Sequence, residues 1–452
     1  MTISSIPPFH SYGALASPQA ESEIISDEER DILQTVRPGY GTGSIFSTSF
    51  NIVNATVGSG ILGVPYALHC GGFIGGMAIS VFVGFLTAVS LMMMIRAGIR
   101  SNIFKFAQLS ERALGRPGFH LLNLFVFIQA SGSCISYFII IGDTIPVLLG
   151  QLWPENALLA NRQFVIVVLS LLLIFPLNLA RSIGSLAKVS VFSVLLLPII
   201  ILTIIVRAPV YAPQHHAPVT IFGPSVLDAL GIQAFAFACS HVAFNNYLSQ
   251  KNQTVVAWTW TSVISTFSSW TATMMFGVLG YFAFGQDVQQ NLFNSFPADD
   301  LIINIGRFLL AVSLIFTVPM GFYPAREALQ KSLGNDTPDR QPTKVQHYTV
   351  TVALFIGMLY IGATVQSLGK VYAFVGGLAS SFIAYIIPGI TYLSIFKRAP
   401  QLTAQSETSY LNQDEFKDEN AVPTWWMDIT AVVLVVFGVG IMVLTVGKAI
   451  WM

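Results

Sequence analysis

The stretch FNIVNATVGSGILGVPYAL, residues 50–68, lies inside an apolar run that is long enough to cross a lipid bilayer. Its centre nevertheless holds five weak helix formers, two of them without a side chain: Asn54, Thr56, Gly58, Ser59 and Gly60. Gly58 and Gly60 are two residues apart and cannot share one helix face, which argues against a close-packing pair. Because a broken helix is tolerated in lipid only beside protein or a wet cavity, the sequence predicts unwinding around a site.

The composition indicates a polytopic helical membrane protein. Of the 452 residues, 54% are apolar and only 10% are charged, whereas a soluble domain has about 25% charged residues. The formal net charge is zero, so the sequence predicts no nucleic-acid partner. No disulfide framework is expected, because all three cysteines lie in apolar segments: Cys70, Cys134 and Cys239.

Eleven apolar spans are predicted along the chain. They fall at about 44–69, 72–96, 118–149, 163–180, 185–206, 225–248, 255–284, 300–330, 346–367, 371–396 and 425–448. Residues 1–42 form a polar tail in which we expect disorder. Residues 43–450 form the predicted membrane domain, in which a polar loop, 397–423, precedes the last span.

The distribution of Lys and Arg predicts the orientation, because cytosolic loops are enriched in both. With a cytosolic N-terminus, the inward segments carry 17 of the 22 basic residues and the outward segments carry four. Eleven spans then leave the C-terminus on the exofacial or lumenal side.

The tail contains two short strings that resemble sorting signals. YGAL at Tyr12–Leu15 has the tyrosine form and EERDIL at Glu28–Leu33 has the acidic dileucine form. Cytosolic adaptors that read them would direct the protein to a vacuolar, lysosomal or endosomal membrane rather than the plasma membrane. A plain polar tail is the alternative.

A second interruption lies in the sixth span. The run LGIQAFAFACSHVAFNNYL, residues 230–248, is broken by Cys239, Ser240 and His241. The broken spans 1 and 6 each open a group of five, and span 11 is an extra helix. This arrangement is typical of the LeuT-type inverted repeat of secondary transporters.

Four motifs in matching order resemble the amino acid/auxin permease family, with its sodium-coupled neutral amino acid transporter and vacuolar amino acid transporter branches. They are NATVGSGILGVPYAL (54–68), SCISYFIIIGDTIP (133–146), FAFACSHVAF (235–244) and FTVPMGFYPAREAL (316–329). The resemblance covers most of residues 43–396. It implies eleven spans, the LeuT-type fold and an amino acid transporter driven by a sodium or proton gradient.

An amino acid presents a carboxylate and an ammonium group. A half-helix N-terminus has free N–H groups and a positive dipole end, which suits the carboxylate. We expect the backbone N–H groups of Val57, Gly58, Ser59 and Gly60 to bind it, with the glycines allowing close approach.

The ammonium is expected to meet the broken part of span 6. Cys239 and Ser240 would supply carbonyls or a hydroxyl there, and Phe237 and Ala238 would line the side-chain pocket. Neither break contains Asp or Glu, which favours a neutral substrate.

The coupling ion could be Na⁺ or H⁺. The resemblance implies Na⁺ between spans 1 and 8, at Asn54 and Thr317, and Ser313 lies one turn before Thr317 on the same face. The structural alternative for Thr317 is a hydroxyl bonded to its own helix carbonyl.

Proton coupling would need an ionisable group facing the pathway. Asp143, His241 and Lys188 are the candidates, and each also has a purely structural interpretation as a cap, a packed histidine or a helix-end charge. No cofactor is expected besides Na⁺ or H⁺.

Other functions remain open alternatives: an amino acid sensor with little flux, or a transporter of another small organic acid. An enzyme is not predicted, because the chain has no HExxH string and no other cluster of acid, base and nucleophile.

Overall fold

The computed structural model describes residues 38–179, 184–336, 340–402 and 425–451, without the side chains of 184–194 and 397–402. Its α-helices, α1 to α17 in chain order, are Ile45–Thr56, Val64–Gly71, Phe73–Ser101, Phe106–Leu114, Arg116–Leu152, Ala157–Ala160, Arg162–Leu169, Phe175–Asn178, Gly184–Tyr211, Val226–Ala236, Ala243–Ser249, Val255–Phe284, Leu301–Ser332, Lys344–Thr364, Leu368–Val375, Ile387–Leu402 and Trp425–Trp451. The tail strings 12–15 and 28–33, the Lys188 side chain and most of the loop 397–423 lie outside the described residues.

The helices are those of a polytopic membrane protein. In the described ranges, nine stretches are long and apolar enough to cross a bilayer: Phe73–Ser101, Arg116–Leu152, Leu195–Gln214, Val226–Ser249, Val255–Asp287, Leu301–Ser332, Lys344–Thr364, Leu368–Phe396 and Trp425–Trp451. The predicted fourth span corresponds to a shorter apolar helix, Arg162–Asn178. The predicted first span does not count as one long helix because it is interrupted.

Both predicted interruptions are present. In the first span, α1 ends at Thr56, a 3₁₀ turn runs over Ser59–Gly63, and α2 follows at once. In the sixth, α10 ends at Ala236, and a 3₁₀ turn at Ser240–Val242 leads into α11.

The first interruption packs directly against the end of α10. A Cβ placed on Gly60 would lie 2.9 Å from the Cα of Ala236, so a larger residue cannot fit without separating the two segments. On α15, Tyr372 stacks on Phe235 with ring centroids 4.7 Å apart. These contacts fix the broken segment against its neighbours.

Two charged side chains on the spanning helices show how such charges are held, one by backbone carbonyls and one by an ion pair. Arg307 of α13 is 2% exposed and donates to the carbonyls of Phe293 and Phe296, both at 2.8 Å. At one end of the last helix, Lys448 pairs with Asp228 of α10 at 2.6 Å. Such pairing is what makes interior charges tolerable in a bilayer.

Asp300 caps α13 and also joins it to α9. Its carboxylate accepts from the N–H groups of Ile302 and Ile303 at 3.1 Å, and from Arg207 and Tyr211 at 2.7 Å. Burial alone would raise the pKa of Asp300, but the hydrogen bonds from Tyr211, Ile303 and Arg207 outweigh it and the pKa lies below its ordinary value.

Asp300→Ala is expected to lower the stability in detergent by about 1 kcal/mol or more, because it removes the helix cap and the ion pair together. Asp300→Asn retains a capping oxygen and should cost less. Since the folded-state pKa is lowered, the ionic contribution is fully present above the ordinary Asp value of about 4 and is lost as the pH falls through the lowered value. Melting temperatures of the wild type and Asp300→Asn should therefore converge in acid; a constant difference from pH 7 to pH 3 would contradict this role.

Candidate functional site

A cavity of about 130 Å³ lies beside the interruption of the first span. The broken segment, α5, α9, α12 and α13 form its wall. The lining residues are Asn54, Val57, Gly58, Ser59, Ile61, Leu62, Tyr137, Leu197, Ile200, Ile201, Phe276, Leu310, Ser313, Leu314 and Thr317. None of these fifteen residues has a charged side chain.

The chain turns sharply where α1 ends. Val57 has φ −81° and ψ 70°, and the Gly58 N–H donates to the Thr56 carbonyl at 2.9 Å. Together these define an inverse γ-turn, a tight turn that stops the helix ladder. The 3₁₀ turn then begins at Ser59, and Pro65 occupies the first turn of α2, where its missing N–H costs nothing.

This turn narrows the predicted carboxylate site to two donors. The Val57 N–H donates to the Val53 carbonyl at 2.7 Å, and that of Gly58 is used in the γ-turn. The N–H groups of Ser59 and Gly60 start the 3₁₀ turn and have no backbone acceptor among the described residues, as expected for the first residues of a helix. They are the donors that remain for an anion, and Ser59 lines the cavity whereas Gly60 does not.

The two glycines have different roles. A Cβ on Gly58 would meet nothing within 4 Å, so this residue borders open space in the cavity. Gly60 is instead pressed against Ala236, as described above. Gly58 therefore leaves room for the expected approach of the substrate, which stays a prediction, whereas the lack of a side chain at Gly60 is explained by its packing against Ala236.

The three predicted ion ligands line the same cavity. Asn54 lies in the last turn of α1, and Ser313 and Thr317 lie one turn apart on α13. The Thr317 hydroxyl donates to the Ser313 carbonyl at 2.8 Å, the local bond of the structural alternative. Its oxygen keeps lone pairs for a cation. The C-terminal end of α1 is also the negative end of its dipole, which favours positive charge.

Two tyrosines beside the interruption were not singled out from the sequence. Tyr137, inside the motif of residues 133–146, lines the cavity and lies close to Ser59. Tyr372 is fully buried, and its hydroxyl donates to the Ser59 carbonyl at 2.7 Å. No sequence signal marks Tyr372, because its role arises only when α15 packs on the first span.

Tyr372→Phe is expected to raise the KM for the substrate roughly 5- to 10-fold with little change in protein abundance. The substitution keeps the ring stack on Phe235 and removes one hydrogen bond worth about 1 kcal/mol from the segment that presents the N–H groups. Tyr281→Phe is the matched control, because Tyr281 is also buried and donates to a carbonyl, that of Pro218, at 2.7 Å, away from the cavity. Equal KM values for the two variants would contradict the positioning role of Tyr372.

The predicted residues of the sixth span do not reach this cavity. Phe237, Ala238, Cys239 and Ser240 are all buried, and none is part of the cavity wall. The Ser240 and Ser90 hydroxyls are hydrogen-bonded at 3.2 Å. Ser240 therefore packs on α3 and Cys239 lies close to Thr56 of the first span, and neither residue is part of the cavity beside Ser59.

The proton-coupling candidates also lie away from the cavity. Asp143 forms an ion pair with Arg162 at 3.2 Å and accepts from Asn294 at 3.2 Å. His241 lies in the interruption of the sixth span, and its side chain is accessible there. Neither side chain lines the cavity, and the Lys188 side chain is outside the described residues.

Comparison with known proteins gives one consistent result. A family model described as "Transmembrane amino acid transporter protein" matches residues 41–451. A Bos taurus protein provisionally named sodium-coupled neutral amino acid transporter 11 is 32% identical over 356 residues, 76% of this chain and 75% of that protein. Vacuolar amino acid transporter 2 of Saccharomyces cerevisiae is 27% identical over 396 residues, 84% of this chain and 81% of that protein. Sodium-coupled neutral amino acid transporter 7 of Xenopus laevis is 27% identical over 429 residues, 89% and 88% of the two chains.

Proposed function

The chain belongs to the amino acid/auxin permease family of transmembrane amino acid transporters, and from this premise we propose that it is a secondary active transporter of neutral amino acids. Its relatives carry transporter names, and we propose no enzymatic activity. The single observation that carries the proposal is the cavity beside the interrupted first span, where helix-end N–H groups and an uncharged wall meet.

We propose eleven spans in residues 43–450, arranged as a LeuT-type 5+5 repeat with one extra helix. The interruptions in the first and sixth spans support it, because each opens one group of five. Alternating access would then move one group against the other around the site.

The substrate carboxylate is proposed to bind the N–H groups of Ser59 and Gly60. Backbone donors at a helix start, with the dipole behind them, bind an anion without a charged side chain. Acceptor oxygens of the same cavity, among them the Tyr137 hydroxyl, would receive the ammonium. A wall without charged side chains supports a neutral substrate, because a buried charge needs a partner.

We propose Na⁺ as the coupling ion, bound by Asn54, Thr317 and Ser313. Their shared position in the cavity supports this assignment, as do the names of two relatives. The proton alternative is less supported, since Asp143 is held by Arg162 and neither Asp143 nor His241 lines the cavity.

The orientation follows from the basic residues: a cytosolic N-terminus and a C-terminus on the opposite side. A vacuolar or lysosomal membrane is proposed, supported by the vacuolar relative and by the two tail strings that sorting adaptors would read.

Flux through purified protein in liposomes tests the proposal. Uptake of neutral amino acids should be concentrative with an inward Na⁺ gradient at equal pH, and should fall to background when choline replaces Na⁺. Uptake driven by a proton gradient without Na⁺ would overturn the coupling assignment. Binding of an amino acid without any flux would instead indicate a sensor.

A further inference from the structure

Most of the cavity wall is apolar. Three helices contribute six large apolar side chains, and α13 adds the polar residues Ser313 and Thr317. The six are Leu197, Ile200 and Ile201 of α9, Phe276 of α12, and Leu310 and Leu314 of α13. None of these helices was expected from the sequence to touch the substrate side chain.

This wall is fixed by core packing and is not a lipid-facing surface. Ile200 and Phe276 are each 1% exposed, and Leu314 is 4% exposed. The helices behind it approach closely, since a Cβ on Gly306 of α13 would lie 3.2 Å from the Cβ of Thr203 on α9. A preformed, buried apolar surface with few polar groups at one end is the usual form of a small-molecule site.

We propose that this wall receives the side chain of the transported amino acid, and that the substrates are aliphatic amino acids such as leucine, isoleucine, valine and methionine. The inference rests on the proposed transport function and specifies its substrate class. With the carboxylate at Ser59 and Gly60, these six side chains make up much of the cavity surface that is left for a side chain.

Charge and polarity exclude the other classes. A lysine or glutamate side chain would face six hydrocarbon side chains without a counter-charge, and a glutamine amide would lose its hydrogen bonds to water without replacement. Aliphatic side chains lose nothing on entering and gain from leaving water.

Size sets the upper limit. The volume of about 130 Å³ is close to that of buried cavities of about 150 Å³ that accept benzene. Because the same volume must also hold the carboxylate and the ammonium group of the substrate, an indole ring does not fit. Phe276 is the bulkiest side chain of the wall and therefore the residue that limits the length of the substrate.

The test compares Phe276→Leu with Phe355→Leu in liposomes. Both phenylalanines are buried in the same core, but Phe355 lies on α14, away from the cavity. The wild type should prefer leucine to phenylalanine, lysine, glutamate and glutamine. Phe276→Leu should raise the phenylalanine-to-leucine ratio of kcat/KM about tenfold, since the pocket gains several carbon volumes, and Phe355→Leu should leave the ratio unchanged.

Substrate-induced rises in melting temperature provide a second readout that needs no flux. Lysine or glutamine bound as well as leucine, or a ratio that Phe276→Leu does not move, would overturn the pocket while leaving amino acid transport in place. Failure of every amino acid to bind or to be transported would overturn the proposed function itself.

Discussion

Replacing Gly58 with leucine is expected to abolish amino acid uptake while leaving the protein folded. The added Cβ meets nothing within 4 Å, so there is space for it, and the rest of the side chain enters the cavity of about 130 Å³. A leucine side chain occupies much of that volume and stands beside the N–H groups of Ser59 and Gly60. Displacement of a substrate by about an ångström can cost about 100-fold in rate, so the loss of uptake should be at least of that order.

Gly357→Leu is the matched control for this variant. Gly357 lies on α14, and a Cβ there also meets nothing within 4 Å, but the residue is not part of the cavity wall. Both variants should reach wild-type abundance and melting temperature, and only Gly58→Leu should lose uptake. Normal uptake by folded Gly58→Leu would show that the substrate does not use this cavity.

Thr317→Val is expected to raise the Na⁺ concentration for half-maximal uptake by about tenfold or more. Valine has nearly the shape of threonine but removes one oxygen ligand, and a polar contact to a charge is worth about 1.5–3 kcal/mol. Thr317→Ser retains the oxygen and should stay close to the wild type. The measurement is uptake at saturating amino acid over a series of Na⁺ concentrations, with choline as the replacement.

Thr391→Val is the control for a general effect of losing a helix hydroxyl. Thr391 is buried and donates to the carbonyl of Ile387 at 2.8 Å, the same local bond that Thr317 makes with Ser313. Its loss should leave the Na⁺ dependence unchanged. An unchanged Na⁺ dependence in Thr317→Val would mean that the threonine hydroxyl only donates to the Ser313 carbonyl of its own helix and does not bind Na⁺.

The interruption in the first span was predictable because its signal is local. Glycine, serine and asparagine lower the helix propensity of an apolar run whatever the rest of the chain packs against it, and the turn forms at those residues. The γ-turn itself was not predictable, because φ and ψ at Val57 depend on how α1 ends. The sequence therefore gives no sign that the N–H groups of Val57 and Gly58 donate to backbone carbonyls.

The wall of the cavity could not be predicted, for a different reason. Leu197, Phe276 and Leu310 each have mostly apolar neighbours in the sequence, and there a side chain that faces lipid and one that faces a site look the same. In the sixth span the sequence signal is present, but the polar residues do not line the cavity. Its polar interruption is real, but packing turns Ser240 towards Ser90, and a local signal alone cannot give that direction.

Competition by leucinamide tests the central claim, that the interrupted first span binds the substrate through its carboxylate. Leucinamide has the shape of leucine and its ammonium group, but a neutral amide replaces the carboxylate. If the N–H groups of Ser59 and Gly60 hold the anion, leucinamide should inhibit leucine uptake in liposomes at least about 100-fold more weakly than leucine does, because two charge-assisted hydrogen bonds are lost. Equal inhibition by leucinamide and leucine would contradict the account.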